Sequence, residues 1–145
     1  EGVLIACASI HGHTLQAAKK MKEILEQKGA KKVVLADLTR DDLHEAVEDA
    51  FRYSHMIIAA ASYDASVFPP MEDFLHRLKS KNYQKRTVGI IENGSWAPTA
   101  AKSMKTLLEG AKQLTIIEPV VTIQSAMKAE NLPQMEALAE GLLRA

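Results

Sequence analysis

The stretch "CASIHGHTLQAAKK", Cys7 to Lys20, decides how the chain is read. An unbroken apolar run from Val3 to Ala8 stops at Ser9, Gly12 follows, and from Leu15 the apolar residues recur at helical spacing. A continuous apolar run of strand length suits a parallel sheet covered on both faces, so the stretch is a strand, a turn and a helix. The same unit recurs along the chain. Strands are expected at Gly2 to Ala8, Lys32 to Ala36, His55 to Ala61, Thr87 to Ile91 and Leu114 to Ile123. Helical faces follow in turn: Leu15, Ala18, Met21 and Leu25, then Leu43, Ala46, Val47 and Ala50, then Met71, Phe74, Leu75 and Leu78. Ala101, Met104 and Leu108, and finally Met135, Leu138, Ala139 and Leu142, complete the series. Right-handed crossovers turn this alternation into a doubly wound α/β domain, a three-layer sandwich around a five-stranded parallel sheet.

The punctuation agrees. Gly29 and Gly110 stand where helices should close, Thr39 or Asp41 can cap the second helix, and Pro70 can occupy a first turn. At 145 residues and 47% hydrophobic content, one domain with one core accounts for the whole chain. Eighteen basic residues balance eighteen acidic ones, which gives no bulk attraction to nucleic acid or to an anionic membrane surface. No apolar run approaches the roughly 18 residues of a membrane span and no signal-peptide pattern is present, so a cytoplasmic setting is expected. The one cysteine, Cys7, lies inside the first strand and reads as a small buried hydrophobe. The start at Glu1, directly before a strand, reads as a domain cut from a longer protein, or equally as a chain that has lost its first methionine.

Ligands of open α/β sheets bind beyond the carboxyl ends of the strands, near the point where strand order reverses. Three loops are therefore of interest: "SIHGHT" (Ser9 to Thr14), "SYDASVFPP" (Ser62 to Pro70) and "ENGSWAPT" (Glu92 to Thr99). The first feeds a helix N-terminus, whose free N–H groups and dipole favour an anion, with Gly12 allowing close approach and Ser9 and Thr14 adding hydroxyls. Ser9 or Thr14 acting only as a helix cap is the alternative. Neither G-x-G-x-x-G nor G-x-x-x-x-G-K-[ST] is present, which removes the dinucleotide fingerprint and the P-loop. His11 and His13 lack a third ligand nearby and read as phosphate neighbours or solvent-facing side chains rather than metal ligands. Tyr63 and Trp96, from the other two loops, offer flat walls for a planar ring, and Gly94 and Ser95 let backbone amides approach its polar edge. Phe68, with Pro69 and Pro70, reads as the base of the second loop.

The loop S-I-H-G-H-T resembles the phosphate loop of flavodoxin-like proteins. Taken with "SYDASVFPPMEDFL", "LADLTRDDL" and "NGSW", nearly the whole chain resembles the flavodoxin domain of the flavodiiron proteins, or A-type flavoproteins. That resemblance implies a noncovalent FMN, strand order 2-1-3-4-5, and electron transfer to a diiron centre in a preceding metallo-β-lactamase-like domain that reduces oxygen or nitric oxide. It also implies a head-to-tail homodimer of the full-length protein. Carried over by position, Ser9, Ile10, His11, Gly12, His13 and Thr14 surround the phosphate, while Ser62, Tyr63, Asp64, Asn93, Gly94, Ser95 and Trp96 surround the ring. The chain departs from the pattern at His11, where an aromatic is common, and at His13, where asparagine is common. Asp64 replaces a neutral amide, and Glu92 adds a second acid in the ring-side loops. Those two carboxylates are expected either to lower the flavin potential or to face solvent as ordinary loop acids.

The function expected is an FMN-binding electron-transfer domain serving a redox partner or an adjacent diiron domain. The alternative is an interaction domain that kept the fold and weakened or lost the cofactor. A phosphorylatable receiver domain, which shares the topology, needs an aspartate ending strand three, where this chain has Ala61 and Ser62. No Ser-His-Asp or Cys-His constellation suggests a hydrolase or thiol enzyme.

Overall fold

A computed structural model describes residues 2–63, 66–94 and 99–145. The elements in order are β1 (Val3–Ala8), α1 (His13–Gln27), β2 (Val33–Asp37), α2 (Leu43–Arg52), β3 (His55–Tyr63), β4 (Ser66–Val67) and α3 (Pro69–Ser80). There follow β5 (Thr87–Asn93), α4 (Ala100–Leu108), β6 (Thr115–Ile116), β7 (Val121–Ile123), a 3-10 turn (Ala129–Asn131) and α5 (Leu132–Arg144). β1 pairs in parallel with β2 on one side, Val3 opposite Val33, and with β3 on the other, Val3 opposite His55. The sheet runs β2-β1-β3-β5-β6, and β7 continues the β6 edge along the upper half of β5.

With β6 and β7 counted as one edge strand and the small β4 set aside, this is the expected order 2-1-3-4-5. Two expectations need correction. The fifth strand is not continuous from Leu114 to Ile123: it pairs with Thr87–Val88, leaves the ladder, and pairs again with Ile91–Asn93. Pro119 sits in the gap, and a residue with no N–H cannot donate to the ladder, a defect that an edge strand tolerates. The cap of α2 is Asp42, whose Oδ1 accepts from the His44 N–H at 2.9 Å. Thr39 and Asp41 are instead engaged with Asp37: Thr39 donates its N–H and hydroxyl to Asp37 Oδ1, and the Asp37 N–H donates to Asp41 Oδ2. Gly29 and Gly110 do close α1 and α4, with φ of 102° and 89°.

The continuous apolar runs are explained by two cores, one on each face. Leu4, Ala6 and Ala8 face α2, α3 and α4, while Val3, Ile5 and Cys7 face α1 and α5. Every residue of β1 is buried, so alternation has nothing polar to show. Full burial of each large aliphatic side chain contributes roughly 1.5 to 3 kcal/mol, which makes the central strands the rigid platform under the loops. Burial also pushes the Cys7 thiol up to about 12, with the Asp37 carboxylate adding in the same direction. Among the described residues, no helix is long and apolar enough to cross a membrane.

Candidate functional site

β1 lies where the chain changes direction across the sheet, with β2 to one side and β3 to the other, so the loop after it opens on the crevice between the halves. In that loop, the Gly12 N–H donates to Ser9 Oγ at 2.9 Å. The bond closes the turn and leaves the Ser9 hydroxyl proton free to donate outward. Gly12 has φ 87°, a left-handed conformation, and a Cβ built on it would meet nothing within 4 Å. The glycine is thus required by backbone conformation, and the space beside it is open. α1 begins at His13 with no carboxylate in its first turn and no side-chain cap from Gly12. Its first N–H groups therefore carry their partial positive charge with no acid of the same turn to meet it.

Thr14 adds the most telling detail. The residue is only 2% exposed, yet its hydroxyl has no hydrogen-bond partner among the described residues. Thr14 stands in the first turn of α1, and no sealed side-chain polar atom is left unpaired among the described residues. Ser9 and Gly12 are joined by that bond, and Thr14 follows two residues on in the first turn of α1. His11 and His13, on either side of Gly12, are exposed.

The second loop is a small antiparallel tab rather than an irregular loop. β3 continues to Tyr63 and returns as β4, with Ser62 opposite Val67 and Tyr63 opposite Ser66. Two-residue strands are too short for any period to register, so nothing in the sequence pattern announced it. Tyr63 is 46% exposed, and its ring leans on Phe68 with centroids 5.8 Å apart at 52°. Ile10, at 40%, is the other large exposed hydrophobic among the described residues. Both belong to loops at the carboxyl end of the sheet, on adjacent strands. Ser62, by contrast, is turned away: its Oγ accepts from the N–H groups of Thr99 at 2.9 Å and Ala100 at 3.2 Å. Asp64 lies outside the described residues.

The third loop corrects the reading of Glu92. It is not a solvent-facing loop acid: it is a strand residue, 8% exposed. Its Oε1 accepts from the Ala101 N–H at 3.0 Å and its Oε2 from the Thr122 hydroxyl at 2.7 Å. The N-terminus of α4 is the physical reason, since it offers a buried carboxylate both a donor and a favourable dipole. Asn93, also 8% exposed, uses its side-chain amide on Ser125, donating from Nδ2 to the carbonyl at 2.7 Å and accepting from the N–H at 3.0 Å. The Gly94 N–H donates to the Ile123 carbonyl. Thr122, Ser125 and Asn131 were missed as supports of this loop, because their partners are remote in sequence. Ser95 and Trp96 lie outside the described residues.

The architecture matches known structures over 99% of the chain, with TM-scores of 0.91 to rubredoxin oxygen:oxidoreductase from Desulfovibrio gigas and 0.81 to a flavodoxin from the domain Archaea. The fold is flavodoxin-like. Identities are 16% and 17%, and the Flv1 flavodiiron core from Synechocystis superposes with a TM-score of 0.87 at 13%. The chain spans 97% of the archaeal flavodoxin but only 35% of each flavodiiron structure. No protein-family model and no curated protein matches the sequence. The structures that share this flavodoxin-like fold include the flavodiiron proteins to which the loop motifs pointed.

Proposed function

We propose that this flavodoxin-like chain is an FMN-binding electron-transfer domain that passes electrons to a diiron centre in an adjacent domain. The observation that carries the reading is the N-terminus of α1, where Gly12 has open space beside it and the Thr14 hydroxyl has no partner among the described residues, at the same end of the sheet as the exposed ring of Tyr63. The donor set fits a phosphate monoester: the Ser9 and Thr14 hydroxyls and the first-turn N–H groups all donate, and no carboxylate of that turn repels it. Tyr63, propped by Phe68, and Ile10 supply apolar surface for a ring system, and Trp96 and Asp64 belong to the same proposal from their sequence positions. When bound, FMN supplies the redox chemistry, while the chain binds, orients and shields it. A single anion loop favours FMN over a dinucleotide. A domain that had lost its cofactor would have no need to keep, at a helix N-terminus, a nearly buried hydroxyl with no partner among the described residues.

The diiron partner, its reduction of oxygen or nitric oxide, the cytoplasmic setting and the head-to-tail homodimer belong to the same proposal. They are supported by the motif resemblance and by the share of the flavodiiron structures that this chain spans. Titration of the apo-protein tests the reading. FMN is expected to bind and turn the protein yellow, with riboflavin weaker by about tenfold or more because it lacks the charged group. Equal affinity for the two overturns the phosphate assignment; binding of neither overturns the function.

A further inference from the structure

The N-terminus of α4 is held from two strands at once. Ser62 at the end of β3 accepts from the N–H groups of Thr99 and Ala100, and Glu92 in β5 accepts from that of Ala101. The Thr99 hydroxyl, which would ordinarily cap its own helix, donates instead to the Ser66 carbonyl in β4 at 3.2 Å. A local cap would satisfy the helix without fixing it to the sheet. Here the capping oxygens come from the sheet, so satisfying the N–H groups also sets where α4 begins.

Glu92 reaches further. Its second oxygen takes the Thr122 hydroxyl in β7, and the Thr122 carbonyl accepts from Asn131 Nδ2 at 3.3 Å, just before α5. Beside it, Asn93 holds Ser125, and Gly94 is bonded to Ile123. Gly94 and Thr99 are therefore both bonded to the sheet.

We infer that Glu92 is a positioning residue for the proposed flavin site, acting through α4 and β7 rather than by touching the ligand. It ties the N-terminus of α4 and β7 to β5, and so governs FMN affinity and the optical properties of the bound ring. The inference rests on the FMN reading above.

Glu92→Ala, Glu92→Gln and Asp42→Ala test it, with FMN affinity, the visible spectrum of the bound flavin and the apo-protein emission of Trp96, the chain's single tryptophan, as readouts. Glu92→Ala strands the Ala101 N–H and the Thr122 hydroxyl, and is expected to weaken FMN by about tenfold and to change both spectra. Glu92→Gln keeps an acceptor for Ala101 and a donor for Thr122 Oγ1, and is expected to stay within about threefold of the wild type. Asp42→Ala removes the cap of a different helix, lowering stability while leaving FMN affinity and Trp96 emission unchanged. Wild-type affinity and spectra in Glu92→Ala overturn the inference, as does an equal loss in Asp42→Ala, which would reflect general destabilisation. Glu92→Gln as weak as Glu92→Ala also overturns it, since the charge and not the tether would then matter. If the wild type takes up no FMN, the proposed function fails, and unchanged apo emission in Glu92→Ala separately overturns the tether.

Discussion

Of the helix N-termini at the carboxyl end of the sheet, those of α4 and α1 are treated in opposite ways. That of α4 is filled with the protein's own oxygens: the Ser62 hydroxyl takes two N–H groups and the Glu92 carboxylate a third. That of α1 has a glycine as N-cap, no acid in its first turn, and a nearly buried threonine hydroxyl with no partner among the described residues. Both ends carry the same partial charge and the same surplus of donors. On the proposed function, what separates the structural joint from the ligand site is whether the chain supplies an oxygen of its own, and among the described residues only the first is closed in this way.

The contrast requires the opening at α1 to stop at the loop, and Cys7 below it gives the test with the largest effect. Its folded pKa is raised from 9.0 to about 12, so stability is unaffected below pH 9 and falls as the unfolded chain alone loses its thiol proton. The slope is about 1.4 kcal/mol per pH unit up to the folded value. Tyr83, whose pKa burial also raises, acts in the same direction. Urea denaturation from pH 8 to 10.5 should show the decline and Cys7→Ala should flatten it. Rapid reaction of native Cys7 with a thiol reagent at pH 8 would mean the looseness extends into β1, and the contrast would collapse.

Gly12→Ala comes next. Its left-handed backbone should cost about 1 to 2 kcal/mol, from strain and not from crowding, since the added methyl meets nothing. Denaturation of the apo-protein measures this, and Gly12→Asn, better tolerated in that region, should recover part of it. The sharpest form of the comparison pairs Ser62→Ala with Thr14→Val. Removing the Ser62 hydroxyl should cost about 1 kcal/mol of apo-protein stability, the loss of a helix cap. Removing that of Thr14 should change apo stability by less than about 0.5 kcal/mol, yet weaken FMN roughly fivefold with riboflavin unaffected. If Thr14→Val destabilises the apo-protein as much as Ser62→Ala, both N-termini are structural and the distinction is wrong.

Where the sequence was informative, the physics was local. An apolar run covered on both faces is apolar at every position, as in β1, and a helix that closes on a left-handed residue shows a glycine, as at Gly29 and Gly110. The loop of Ser9, Gly12 and Thr14 was legible as a strand-to-helix turn for the same reason, since β1 and α1 adjoin it. Asp42 was misjudged in favour of Thr39 or Asp41 because three candidate caps stood within four residues, and the turn made with Asp37 chose among them.

By itself, the sequence determined the alternation of strands and helices and so the layers, because period and turn chemistry act over a few residues, while the strand order followed from the family resemblance. Only the tertiary structure decided what Ser62, Glu92 and Asn93 do. All three read in sequence as loop residues with ligand-like chemistry, yet all three lie in strands and direct their side chains to partners that the sheet brings near: Ser62 to Thr99 and Ala100, Glu92 to Ala101 and Thr122, Asn93 to Ser125. A carboxylate next to a glycine-rich turn looks the same in sequence whether it faces solvent, a flavin or a helix N-terminus. Which of these it meets depends on the packing of α4 and β7 against β5, and that is settled by burial far from the residue itself.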